Sequence, residues 1–266
     1  MIRPIGAVDV LYQPPRGPCT PPAEAQAELD AAGVAVALVS QCKQWSCERQ
    51  WMCVDTRLED VARFTSASIR FAGLAGYNPF DVTESVREME AARGLGFRGT
   101  YLHAASFGVR LSDARLYPLF AKSSELAQPA VVQIPLAEPD LVRCMERICR
   151  DFPELSLALV HPRPTAEMFA LCDRFERLAY VLDTATLVWM YSHQRDLLDK
   201  VGLVERCMWG SNGALLADTV SEAMGLELPI ETLEAILRTN ALLFFAAPRP
   251  ARTPQALSNV VTTAER

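Results

Sequence analysis

Apolar residues along this chain follow two alternating rhythms. Short continuous runs, of the kind buried on both faces of a sheet, occur at GAVDVLYQ (6–13), VAVALVSQ (34–41), RFAGLAGYN (70–78), FRGTYLHA (97–104), AVVQIP (130–135), LSLALVHP (155–162), LAYVLDTA (178–185) and CMWGSNG (207–213). Between them PAEAQAELDAAG, TRLEDVARFTSA, TESVREMEAARG, ARLYPLFAKSSELA and EPDLVRCMERICRDF carry apolar residues at three- and four-residue spacing, which predicts amphipathic helices. Asp81 or Thr83 is placed to cap the third helix and Ser112 or Asp113 the fourth. Gly33 and Gly94 stand where a helix end favours a left-handed residue. Pro129 and Pro153 mark stops ahead of strands.

Eight strand–helix units predict an α/β fold, a (β/α)8 TIM barrel. It is expected to occupy residues 1–247 as a single domain, with 248–266 a Pro-, Thr- and Ala-rich tail, loosely ordered or packed on a neighbour. The competing architecture is an open doubly wound sheet, which usually carries a Gly-rich phosphate loop after its first strand. VDVLYQPPRGPC is not such a loop. A barrel enzyme builds its site at the C-terminal ends of its strands. The predicted ends bring Tyr12, Gln13, Gln41, Cys42, Lys43, Tyr77, Asn78, His103, Gln133, His161, Arg163, Asp183, Ser211 and Asn212 to one polar ring.

Composition removes several classes of partner. With a net charge of −6 the chain has no broad basic surface for nucleic acid. No apolar run reaches membrane-spanning length, and MIRPIGAVDV lacks the apolar stretch of a signal peptide. A cytoplasmic location is expected. The eight cysteines are then expected to be reduced. Cys42, Cys47 and Cys53 cluster without the CxxC spacing of a typical zinc site.

Several segments resemble the amidohydrolase-related family of TIM-barrel metal enzymes, in the branch with aminocarboxymuconate-semialdehyde decarboxylase, resorcylate decarboxylase and related hydratases and lactonases. The segments are FRGTYLHA, YPLFAKSSELAQPAVVQIP, FPELSLALVHPRP, RCMWGSNGALL and LPIETLEAILRTNALLFF, in the family's order and across nearly the whole chain. The resemblance implies a divalent metal held by an HxH pair after the first strand, a His after the fifth and an Asp after the eighth. A further His after the sixth strand serves as acid/base or ligand. Here the HxH positions hold Leu11 and Gln13, the fifth-strand position Gln133 and the eighth-strand position Asn212. Only His161 remains, in a chain with three histidines. Leucine offers no lone pair, and neutral amides are poor zinc ligands beside imidazole or carboxylate. No metal and no other cofactor is expected. The amides either fill a dead cavity or bind a polar ligand, such as a carbonyl or enol, where the metal would sit.

Candidate chemistry then falls to His161 as acid/base and to Arg163 as a carboxylate or enolate partner. Asp183 is expected to orient His161 or act as a base. Tyr12 and Tyr77 are placed as oxyanion donors, Lys43 as an anion or Schiff-base site, and Trp45 and Trp51 as an aromatic wall. Gln13, Asn78, His103, Gln133 and Asn212 complete the expected substrate-binding set. Tyr101 is expected to face the helices, and His193 to be structural. Three functions stay open: a metal-independent lyase, isomerase or cyclase, decarboxylation included, acting on an aromatic or enol-containing small molecule; a non-catalytic pseudoenzyme subunit; and a small-molecule binding protein. A homodimer is expected, because the family often dimerises.

Overall fold

In the computed structural model, which describes residues 5–43, 56–135, 138, 140–160, 165–198 and 204–246, each apolar run becomes a strand. These are β1 (Ala7–Tyr12), β2 (Val34–Ser40), β3 (Phe71–Gly76), β4 (Gly99–His103), β5 (Ala130–Gln133), β6 (Leu157–Val160), β7 (Leu178–Leu182) and β8 (Cys207–Trp209). They form one parallel sheet in sequence order, β1 to β8. The helices are α1 (Pro22–Ala32), α2 (Leu58–Ser66), α3 (Val82–Gly94), α4 (Tyr117–Glu125), α5 (Leu141–Asp151), α6 (Ala166–Cys172), α7 (Thr184–His193), α8 (Arg195–Leu198), α9 (Leu216–Met224), α10 (Ile230–Glu234) and α11 (Asn240–Phe245). A π-helical turn (Ala235–Thr239) joins the last two. No described helix is long and apolar enough to cross a membrane.

Local signals act as physics requires, with one shift. Asp81 accepts from Glu84 N and opens α3, and Asp113 accepts from Arg115 N ahead of α4. Gly33 ends α1 at φ +69°. At the end of α3, however, Gly94 stays helical, and the left-handed residue is Gly96 at φ +86°. The left-handed residue comes two positions later than expected because Ala91, Ala92 and Arg93 still offer carbonyls to Leu95 N.

The strands are apolar on both faces because two cores sandwich them. Val8, Val10, Val36, Leu38, Leu74, Tyr101, Val131, Ala158, Val160, Ala179, Val181 and Met208 fill the barrel interior. Val39, Leu102, Val132, Leu159, Tyr180 and Trp209 pack outward on the helices. Ala241 and Phe245 of α11 join the interior core. Asn240 Nδ2 donates to the carbonyls of Val204 and Cys207, at 2.6 and 2.7 Å, tying that helix to the start of β8.

Between β1 and β8 no backbone ladder forms among the described residues. A carboxylate closes the seam instead. Fully buried Asp9 accepts from Leu11 N and Ser211 N through Oδ1, both at 2.9 Å. Its Oδ2 is buried without a partner among the described residues. Desolvation pushes the Asp9 pKa up to about 6, against the lowering effect of the Ser211 and Leu11 bonds. Gly210 permits the close approach, since a Cβ there would lie 3.0 Å from Leu11 Cβ.

Candidate active site

A bulge in β1 decides which strand ends reach the mouth. Asp9 pairs with Ala37 and Tyr12 with Val39, so three residues of β1 span two of β2. The extra residue reverses the alternation. Tyr12, which strict alternation would place beside Val8 and Val10, turns outward instead. It stacks on Phe71 and donates to Glu28 Oε2 of α1 at 2.6 Å. Burial, reinforced by Glu28, holds its pKa far above the usual phenol range. Tyr12 is therefore a helix-layer anchor and not a mouth donor.

Three other expected mouth residues also serve the scaffold. Tyr77 is fully buried in the outer core and donates to the Arg115 carbonyl at 2.6 Å; burial pushes its pKa up to about 12. Asn78 Oδ1 accepts from Phe80 N, and its own N–H donates to Ser85 Oγ, shaping the turn into α3. Lys43 pairs with Glu88 of α3 at 3.1 Å, both side chains largely shielded. Glu88 also accepts from Gln41 Nε2. A charged, paired lysine is a poor Schiff-base nucleophile. Gly76 lets this segment cross β3, since a Cβ there would lie 2.4 Å from the Gln41 carbonyl oxygen.

Alternation places others of the expected set at this end of the barrel. His103 stands two residues after Tyr101, Gln133 two after Val131, and Asp183 two after Val181. All three precede or begin the loops at one end of the barrel. Asp183 caps α7 through Oδ1, which accepts from Thr186 N at 2.8 Å. Its Oδ2 accepts from Asn212 Nδ2 at 3.4 Å, so the Asn212 amide must turn its NH2 to the carboxylate. Asn212 holds a left-handed backbone at φ +52°. Gln13 reaches the same place: its Oε1 would lie 3.2 Å from a Cβ on Gly213. Across the barrel His103 and Gln133 are register partners on β4 and β5. His103 Nδ1 accepts from Ser106 N at 3.0 Å, which puts the ring proton on Nε2.

Tyr101, expected to face the helices, faces the other way. It lies inside the barrel, fully buried, and its hydroxyl donates to Gln133 Oε1 at 2.8 Å. Burial, with the Cys42 thiol adding to it, holds this phenol pKa well above its usual value. His193 ends α7, stacked on Trp189 and bonded to that residue's carbonyl. His161, Arg163, Trp45, Trp51, Cys47 and Cys53 lie outside the described residues. A cleft of about 630 Å³ opens where α5 and α6 begin, lined in part by Glu138, Arg143, Thr165 and Met168. Thr165 on its wall follows His161 and Arg163 in the sequence.

The donor set here suits hydrogen bonding better than metal binding. Leu11 is packed on Gly210. The Gln133 oxygen, its better ligand atom, already accepts from Tyr101. Among the described residues no three His, Cys, Asp or Glu side chains converge. Leucine at 11 and an engaged amide oxygen at 133 make these described positions a poor fit to a divalent metal.

A family model described as amidohydrolase matches residues 4–246. No curated protein matches the chain. Among solved structures, an uncharacterised TIM-barrel protein from Bordetella bronchiseptica is 19% identical with a TM-score of 0.71, covering 90% of this chain and 98% of that one. A 5-carboxyvanillate decarboxylase from Novosphingobium aromaticivorans, complexed with manganese and a nitrobenzoic acid, is 17% identical with a TM-score of 0.60, covering 84% and 79%. A 2,6-dihydroxybenzoate decarboxylase from Rhizobium is 14% identical with a TM-score of 0.63, covering 90% and 98%. At these identities the likeness is one of fold.

Proposed function

Given that this chain belongs to the amidohydrolase family, we propose that it is an enzyme that works without the family's metal. Its reaction is a lyase, isomerase or cyclisation step, decarboxylation among them, on an aromatic or enol-containing small acid. The observation that carries this reading is the fate of the ligand positions. Gln13, Gln133 and Asn212 reach the mouth as amides, two of them held by hydrogen bonds to Tyr101 and Asp183. A mouth released from function has no reason to keep polar groups oriented at the strand ends.

In this reading His161 moves the proton. It takes a proton from the substrate carbon or enol oxygen, or returns one to carbon after a C–C bond breaks. Arg163 holds the carboxylate. The Gln133 amide, through its NH2, holds the oxygen on which charge gathers, in place of a metal. Asp183 holds the α7 N-terminus and Asn212, so it is a positioning group. His161 and Arg163 enter by sequence position. Metal-like activation of water is not part of the scheme, so hydrolysis is disfavoured. The decarboxylases of similar fold act on hydroxylated aromatic acids by their names, which suggests the compounds to assay first.

The test is a turnover screen of hydroxybenzoates and enol acids, run with and without chelator. We expect activity that chelator leaves intact and that His161→Ala lowers about 100-fold or more. Activity abolished by chelator and restored by a divalent ion would overturn the reading. Saturable binding with no turnover of any compound would move the chain to the binding-protein class.

A further inference from the structure

A buried phenol inside an otherwise apolar barrel needs an explanation. Tyr101 belongs to the interior core with Val36, Leu38, Leu74 and Val131, and among the described residues its hydroxyl makes one hydrogen bond, to Gln133 Oε1. The register sets the depth: Tyr101 pairs with Val131, while Gln133 pairs with His103, two residues nearer the mouth. The phenol thus holds the amide from below.

That contact fixes which way the amide faces. A carboxamide can present oxygen or NH2 to a neighbour, and the two orientations have nearly the same shape. If Gln133 turned its NH2 to Tyr101, the phenol would accept and its own proton would be left buried without an acceptor among the described residues. Buried donors are rarely left so. The raised phenol pKa keeps that proton in place across the physiological range. Hence Oε1 faces Tyr101 and Nε2 faces away. Gln133 is half-buried, so its far end reaches the mouth. On the opposite side the polarity is reversed: Asp183 supplies carboxylate oxygens, and Asn212 has its NH2 engaged there.

We infer that Gln133 is a specificity-determining donor, locked by Tyr101 as a positioning residue, and that it takes an acceptor oxygen of the ligand: a carboxylate, carbonyl or enolate. This rests on the proposed function only in placing a ligand in the mouth. The position where the family's resemblance implies a metal ligand, an electron-pair donor, presents an N–H group instead. With Nε2 turned to the mouth and Oε1 engaged by Tyr101, a cationic or amine-bearing ligand is disfavoured on the Gln133 side.

The test uses the full chain labelled with ¹⁵N, with the Gln133 side-chain NH2 pair assigned in the wild type. Benzoate and benzylamine are the two probes, matched in shape and opposite in charge. We expect the pair to exchange freely with water and to shift on benzoate addition, with no response to benzylamine. Gln133→Glu keeps an acceptor for Tyr101 and removes the donor; it should weaken benzoate about 10- to 100-fold. Tyr101→Phe, which frees the amide to turn, should weaken benzoate less and narrow the preference over benzylamine. An NH2 pair protected from exchange, or unmoved by saturating benzoate, or following benzylamine, overturns the inference. The outcome is separable from the catalytic reading: benzoate can move the pair in a chain that turns nothing over, and turnover can persist in a chain whose Gln133 pair is protected.

Discussion

Asp9 lies in the middle of an apolar strand and binds the far side of the barrel. The run AVDVLY advertised it, because a carboxylate flanked by valines must find partners or lose its charge. Those partners, Leu11 N and Ser211 N, come from both sides of the seam, and the latter lies beyond any local pattern. Desolvation lifts its pKa to about 6, above the roughly 4 of an unfolded aspartate. Between those values the folded chain binds a proton that the unfolded chain has lost, so stability falls as pH rises. The contribution is complete below about pH 4 and is lost as pH passes through about 6, a difference on the order of 2–3 kcal/mol. Asp9→Asn keeps the acceptor and does not titrate. Urea denaturation should therefore show the variant gaining on wild type by about that amount from pH 4 to 7; parallel profiles would contradict the assignment. Gly210→Ala addresses the same seam. Its Cβ would meet Leu11 Cβ at 3.0 Å, and the overpacking should cost about 1–3 kcal/mol in the same measurement.

Every strand was legible as an element, because a strand buried on both faces is a continuous apolar run with sharp ends. Facing was not legible, for the same reason. Where both faces are apolar, alternation carries no sign, and Tyr101 could be assigned to either core. At β1 the bulge between Asp9 and Tyr12 reversed the parity that the sequence suggests. Helix ends were read to within a turn: Gly33 as expected, Gly96 in place of Gly94. The chain's last helices show what an element can do at long range. Asn240 supplies both of its side-chain hydrogens to the Val204 and Cys207 carbonyls. Asn240→Ala should leave both without this donor and destabilise the fold by about 2 kcal/mol, seen as a lower denaturation midpoint at an unchanged slope. A stability equal to wild type would mean that other donors replace it.

The whole molecule has the family's barrel, and its strand ends carry amides where the resemblance implies metal ligands. Polar groups on opposite sides are fixed by different partners, Gln133 by Tyr101 and Asn212 by Asp183. Leu11, where the resemblance implies a ligand, packs on Gly210 at the seam. The amides themselves were readable from the chain; their orientation was not, because it depends on a tyrosine assigned to the wrong face. If the mouth binds an oxygen-rich ligand through these amides, binding should be insensitive to chelator. The central claim is that the donor set has been exchanged, and elemental analysis of the purified, untagged protein by mass spectrometry tests it most directly. The account predicts far less than one transition-metal ion per chain, including after incubation with zinc or manganese and desalting. A stoichiometric ion that Gln133→Ala or Asn212→Ala removes would contradict it and return metal-assisted chemistry to this mouth.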